Sequence, residues 1–297
     1  MRHRYSQGIG DGFLYRVTEA GALVSQTPLP FGDAGTESSP LITYADAGGT
    51  VDRVYVGGAG GAGGALHAFT ADGSPAWSGP MGGPVRASPA VHASGLILAA
   101  DDAGTVRAFR RDGTVLWSVT VPGPVRGQIV ATPDVVVVMG AGALYGLMPF
   151  TGALTGSLPL SSAPAGLVFD TARRRLYVAL AAGRLEGYDA TGALTLLWSW
   201  TIGGSPVGAP ALDVANDRFV VASTDGRGYS VNVATGAPPG SAPLSASSRA
   251  GVVVALNGRR YVGAEDGRMN ELDPAGNLLS TAPAAGGDDP VADGGLR

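Results

Sequence analysis

The chain has 297 residues, a formal net charge of −4 and a pI near 5.3, which argues against a general nucleic-acid or anionic-membrane binder. Its 48 glycines and 21 prolines accompany 45% hydrophobic residues and a mean hydropathy of +0.18, enough apolar side chain to fill a core, so the composition argues against disorder. Zero cysteines exclude disulfides, thiolate metal sites and a cysteine nucleophile within the chain; all 20 basic residues are arginine. Glycine inside a helix costs ~1 kcal/mol relative to alanine, so this many glycines belong in turns, and many turns mean many short strands.

From the N-terminus, Met1 to Tyr5 carries basic residues with no apolar stretch behind it, so no signal peptide is read there. The first strand pair then opens a phrase that recurs along the chain: LYRVTEAGAL at 14–23, LHAFTADGSP at 66–75, VRAFRRDGTV at 106–115 and LYGLMPFTGAL at 144–154. It returns as LEGYDATGAL at 185–194, YSVNVATGAP at 229–238 and MNELDPAGNL at 269–278. The anchor glycines are Gly21, Gly73, Gly113, Gly152, Gly192, Gly236 and Gly276, a period of about 42 residues. A second glycine precedes each anchor by nine or ten positions, at Gly12, Gly64, Gly104, Gly142, Gly183, Gly226 and Gly267, often after Asp or Ala as in a hairpin turn.

Between the two glycines the residues alternate as in a half-buried strand; upstream lie β-branched runs such as Val54 to Val56 and Val135 to Val138. Further upstream comes a short segment around Pro40, Pro89, Ile129, Leu167, Pro210, Val252 and Pro290. Each period therefore predicts four short antiparallel strands, A to D, which is a propeller blade. The longest apolar run, Val135 to Met148, falls short of the ~18 residues a membrane span needs, so no membrane insertion is expected.

The expected fold is all-β: one domain over 1–297, a seven-bladed β-propeller of four-stranded antiparallel blades. Blades are read at 38–81, 87–121, 127–160, 165–202, 208–244 and 250–281. The seventh is assembled from 288–297 plus 1–30: the last marker, Pro290, has no anchor after it, and wrapping to Gly21 restores the spacing. The C-terminal strand would pair with the N-terminal blade and close the ring, leaving no open blade edge.

The repeat resembles the PQQ-like (pyrroloquinoline-quinone-type) β-propeller repeat, with its L-x-A-x-D and T-G-x-x-x-W phrases. Ala68 to Trp77 reads AFTADGSPAW, Ala108 to Trp117 reads AFRRDGTVLW, and Tyr188 to Trp198 reads YDATGALTLLW with two extra residues. The resemblance covers essentially the whole chain and implies that Trp77, Trp117 and Trp198 dock one blade on the next; Ser25, Gly156, Gly240 and Ser280 stand at the equivalent places of the other four. In this quinoprotein alcohol dehydrogenase-like superfamily the enzymes usually carry eight blades on about twice this length. Many have a vicinal disulfide over the quinone, which this chain cannot form. The chain is more similar to the BamB-like, non-enzymatic branch, which implies no cofactor, neither PQQ nor calcium, and a cell-envelope or secreted role.

The residues themselves offer no catalytic constellation. His3, His67 and His92 lack ligand spacing, so no metal site is expected. The glycine-rich run at 57–65 joins two strands without the following helix a phosphate cradle needs. One position stands out. Three residues before the strand-A marker, Glu37, Arg86, Arg126 and Arg249 occupy one place in four repeats. At the mouth of a propeller channel, converging arginines suit a carboxylate or phosphate; paired to neighbouring acids, they would instead hold the rim. The expected function is thus a non-catalytic binding or scaffolding module with a protein or peptide partner on the propeller face, a small anionic ligand also being compatible, and no nucleic acid. Two other readings stay open: a quinoprotein-like oxidoreductase, and one propeller domain of a larger surface or sensor protein.

Overall fold

The computed structural model of the chain describes residues 3–7, 13–18, 22–29, 38–46, 49–58, 64–191, 194–255 and 257–283. These residues contain no helix, and their strands fall in seven antiparallel sheets of consecutive strands. The chain divides into two compact units, Met1–Leu160 and Ser161–Arg297.

The first unit holds four sheets. Blade 1 is β1 (His3–Gln7), β2 (Phe13–Thr18) and β3 (Leu23–Pro28); blade 2 is β4 (Leu41–Tyr44), β5 (Val51–Gly58), β6 (Ala65–Thr70) and β7 (Pro75–Pro80). Blade 3 is β8 (Ala90–Val91), β9 (Ile97–Ala100), β10 (Thr105–Phe109) and β11 (Val115–Thr120). Blade 4 is β12 (Val130–Ala131), β13 (Val136–Gly140), β14 (Ala143–Leu147) and β15 (Leu154–Pro159). The second unit holds three. Blade 5 is β16 (Pro164–Asp170), β17 (Arg175–Leu180), β18 (Arg184–Asp189) and β19 (Thr195–Thr201); blade 6 is β20 (Ala211–Asp213), β21 (Arg218–Ala222), β22 (Arg227–Asn232) and β23 (Gly240–Pro243). Blade 7 is β24 (Val252–Val254), β25 (Arg260–Gly263), β26 (Arg268–Leu272) and β27 (Leu278–Pro283).

Blade 1 shows three strands among the described residues. The strand expected from 288–297 to complete it lies outside them, as does Glu37.

Burial explains the sequence pattern. The second strand of a blade is covered on both faces, so β9 and β13 are buried at every position and read as unbroken apolar runs. The fourth strand is the edge, and β15 is exposed at five of its six positions. The core therefore lies between blades. Leu98, Val106 and Trp117 of blade 3 pack with Val136, Val138 and Leu147 of blade 4, while Phe219 and Val231 of blade 6 pack with Tyr177 and Leu185 of blade 5.

Blade 3 shows why the two turn glycines recur. Gly104, between β9 and β10, has φ +83°, and Gly113, between β10 and β11, has φ +90°, a region where a Cβ is strained. Just after the anchor the fourth strand bulges by one residue: Ala76 opposite the step Ala68 to Phe69, Leu116 opposite Ala108 to Phe109, Thr155 opposite Gly146 to Leu147, Leu197 opposite Gly187 to Tyr188, and Leu279 opposite Glu271 to Leu272. One extra residue at a fixed place adds twist to each edge strand. Blade 6 has no such shift in its pairing: Pro238-Pro239 cannot donate to the ladder, and β23 begins only at Gly240.

Candidate functional site

The register sets Trp77 opposite Ala68, Trp117 opposite Ala108 and Trp198 opposite Gly187. Each indole lies against the anchor glycine of the next blade. A Cβ on Gly113 would sit 2.8 Å from the Trp77 ring, one on Gly152 2.7 Å from Trp117, and one on Gly236 2.8 Å from Trp198. The anchor glycines are thus the faces on which the indoles pack, as well as turn residues.

Trp77 Nε1 donates to Arg111 O at 2.9 Å, and Trp117 Nε1 donates to Pro149 O at 2.8 Å, each in the following blade. Blade 5 departs from this pattern. The Trp198 ring turns over Gly187, stacks on Tyr177 at 5.8 Å, and its Nε1 has no partner among the described residues. Trp200, two residues on along the same strand face, supplies the hydrogen bond instead, to Gly236 O at 3.1 Å.

The arginine position lies at the blade end where the connection from the preceding blade meets the turn between second and third strands. Backbone hydrogen bonds fix that meeting: Asp102 N to Pro84 O at 2.9 Å, Thr224 N to Ser205 O at 3.1 Å, and Glu265 N to Ser247 O at 2.9 Å. In blade 3 the buried Asp101 carboxylate organises the turn, accepting from the N–H groups of Gly82 (2.7 Å), Gly83 (3.0 Å), Ala103 (2.9 Å) and Thr105 (2.8 Å). Its neighbour Asp102 receives two arginines. Arg86 Nε donates to Oδ2 at 2.8 Å; Arg126, arriving at blade 4, donates through Nε to Oδ1 at 2.9 Å and through Nη2 to Oδ2 at 3.1 Å. Burial works against ionisation of Asp102, but the two guanidiniums outweigh it and hold the carboxyl below its ordinary value.

Blade 7 repeats the arrangement on its own. Arg249 Nε donates to Glu265 Oε1 at 2.7 Å, and Ser247 Oγ donates to Oε2. Glu265 is held below the usual carboxylate range, first by the Ser247 hydroxyl and then by Arg249. Asp102 and Glu265 each stand two residues before the hairpin glycine, Gly104 and Gly267. Blades 5 and 6, which carry Pro164 and Val207 at the arginine position, have Ala181 and Thr224 there. Blade 4 carries Arg126 but has Gly140 at the acid position, and its arginine reaches back to Asp102 of blade 3 instead.

The structure therefore brings Arg86 and Arg126 together on one carboxylate and gives Arg249 an acid of its own. Arg126 and Arg249 remain 62% and 65% exposed. His67 sits away from these groups, its Nδ1 2.8 Å from Ser78 Oγ, and burial pushes its pKa down to about 4. Among the described residues, no three His, Asp or Glu side chains gather to hold a metal ion, and no helix is long and apolar enough to cross a membrane.

Four-stranded antiparallel blades with an indole-on-glycine dock and a T-G anchor define a β-propeller of PQQ-like repeats. The family model for outer membrane protein assembly factor BamB matches residues 10–169, more than half of the chain, and the chain belongs to that family. Solved structures agree on the fold. The chain is similar to BamB from Moraxella catarrhalis, with TM-score 0.66 and 18% identity over 82% of this chain and 75% of that one. It is similar to the computationally designed Ika8 protein, with TM-score 0.76 and 17% identity over 95% and 84%. It is also similar to the C-terminal WD40 domain of Sif2, with TM-score 0.72 and 14% identity over 95% and 88%. No curated protein matches the sequence.

Proposed function

We propose that this chain is a non-catalytic, protein-binding propeller of the cell envelope, one that works without quinone or calcium, and that its partner is read at the blade ends carrying Arg86, Arg126 and Arg249. The observation that carries this reading is the pairing of each arginine with an acid on a short turn, in a family described as an outer membrane protein assembly factor. A carboxylate under a guanidinium orients it at little cost in side-chain entropy, and an oriented, partly exposed arginine is an effective anchor for a protein partner. Shared carboxylates also offset the positive charge, which favours a mixed-charge protein surface over a small free anion.

Residue-specific photo-crosslinking tests the reading. A photoreactive amino acid at Arg126, or separately at Arg249, is expected to trap a protein partner in cells, and the same probe at Leu154 or Leu197, on exposed edge strands, is expected to trap none of it. Loss of that adduct in the Arg86→Ala/Arg126→Ala/Arg249→Ala chain, probed from Ser247, supports the assignment. An adduct of undiminished yield in the triple variant overturns it.

A further inference from the structure

Between blades 6 and 7 the docking indole is missing, and the space it would fill is open. The register places Gly240 opposite Ser230, where Trp77 faces Ala68 and Trp117 faces Ala108 in other blades. A Cβ on Gly240 would meet nothing within 4 Å. Across the gap, a Cβ on the anchor Gly276 would have only Arg260 Nη1 near it, at 3.7 Å. What remains is a cleft of about 320 Å³ with Gly240 and Gly276 among its walls and Val220, Val262 and Leu272 among its apolar lining.

Arg260 also lines this cleft, and it is out of place by the logic of the repeat. Its position on the second strand is held by Val54, Ile97, Val136, Leu176 and Phe219 in blades 2 to 6, all buried. Arg260 is itself only 2% exposed. Its Nη2 donates to Pro274 O at 2.8 Å and lies 3.3 Å from Asp213 Oδ2 of blade 6. Its Nε has no hydrogen-bond partner among the described residues. A buried N–H without an acceptor is costly, and such groups are rare unless something else supplies the acceptor.

We propose that this cleft is a binding site for a small flat aromatic compound of indole size bearing a carbonyl or carboxylate oxygen. The ring takes the place of the absent tryptophan between Gly240 and Gly276, over Val220, Val262 and Leu272. The oxygen accepts from the Arg260 guanidinium, whose Nη1 stands 3.7 Å from the Cβ position of Gly276. The volume suits a bicyclic ring, since ligand sites begin at about 300 Å³. Three other blade junctions of the same chain already hold an indole against the matching glycine.

The test uses the full chain and two probes, indole-3-acetate and indole. Indole-3-acetate is expected to bind at millimolar concentration or below by isothermal titration, about tenfold more tightly than indole, because only it offers Arg260 a charged acceptor. In amide spectra both are expected to shift Gly240, Gly276 and Asn277. Gly240→Trp is expected to abolish binding of both and to raise Tm by filling the cleft from within. Should that variant fold poorly, Gly240→Leu serves the same purpose with a smaller side chain, and the wild-type amide shifts locate the site without any variant. Failure of both probes to bind the wild type overturns the proposal. So do shifts centred elsewhere, or binding that survives intact in a folded Gly240 variant. Equal affinity for the two probes overturns the part assigned to Arg260.

Discussion

The junction between blades 3 and 4 and the junction between blades 6 and 7 solve the same packing problem with different chemistry. In the first, Trp117 lies on Gly152, gives its N–H to Pro149 O, and joins one continuous cluster with Leu98, Val106 and Val138. In the second, Gly240 presents no side chain and an arginine reaches from β25 across to Asp213, both side chains 2% exposed. Indole on glycine gains free energy from apolar area removed from water, with one hydrogen bond well satisfied. A buried ion pair must first repay the desolvation of two charges, so its net contribution is small even though the loss of one partner is costly. Burial accordingly pulls the Arg260 pKa below its ordinary value, against the opposing influence of Asp213. The apolar junction is stable because of what it contains. The second keeps an apolar cluster of Val220, Ala242, Leu244, Val252, Val262 and Leu272, and its ion pair is neutral only as long as both partners are present.

Breaking the apolar junction is the largest expected effect. Trp117→Ala should cost about 3–5 kcal/mol in urea unfolding, with the midpoint reporting the loss. Trp117→Phe should cost less, because it keeps much of the packing and forfeits mainly the bond to Pro149 O, worth about 1 kcal/mol. A smaller loss for Trp117→Ala than for Trp117→Phe would falsify the assignment of the indole to packing. At the polar junction, Arg260→Met should destabilise by about 3 kcal/mol, because it strands the Asp213 carboxylate with Asn216 as its remaining side-chain partner among the described residues. The double change Arg260→Met/Asp213→Ala should recover most of that loss. If the double variant is the worse of the two, the pair is a net stabiliser and the contrast between the junctions fails.

The apolar half of this contrast could be read from the chain, and the polar half could not, for definite reasons. The blades were legible because a glycine forced to positive φ, a bulge and an apolar second strand recur together about every 42 residues, and no side chain needs to be placed to see them. Trp198 was legible as a packing residue but not as one whose N–H finds no acceptor among the described residues. Trp198 and Trp200 share a strand face, and only the ring's tilt over Gly187 decides which of them donates to Gly236 O. Arg260 looks in sequence like half of a solvated Arg259-Arg260 pair. Registering the repeats would have set it beside Leu176 and Phe219, but period alone does not show which charge a neighbouring blade will cover. The clasp on Asp102 was not legible, because its second arginine, Arg126, belongs to the next blade.

That clasp sharpens the comparison at its weakest end. Arg126 of blade 4 on Asp102 of blade 3 crosses the same junction as Trp117, yet Arg126 is 62% exposed, and exposed pairs contribute about 0.2–1 kcal/mol each. Arg86→Ala/Arg126→Ala should therefore lower stability at neutral pH by about 1 kcal/mol, well below the effect of Trp117→Ala. The pH dependence identifies the cause. The Asp102 carboxyl lies below its ordinary value of 3.8 in the folded chain, so its contribution is present above that value. It is lost as the pH falls through the lower folded one. Urea midpoints of the wild type and the double variant should differ at neutral pH and converge in acid, while the deficit of Trp117→Ala should persist at every pH where both proteins fold. A gap between wild type and the arginine variant that stays constant into the acid range would assign the effect to the packed arginine stems rather than to charge. The two ends of the 3–4 junction would then be held by the same kind of contact.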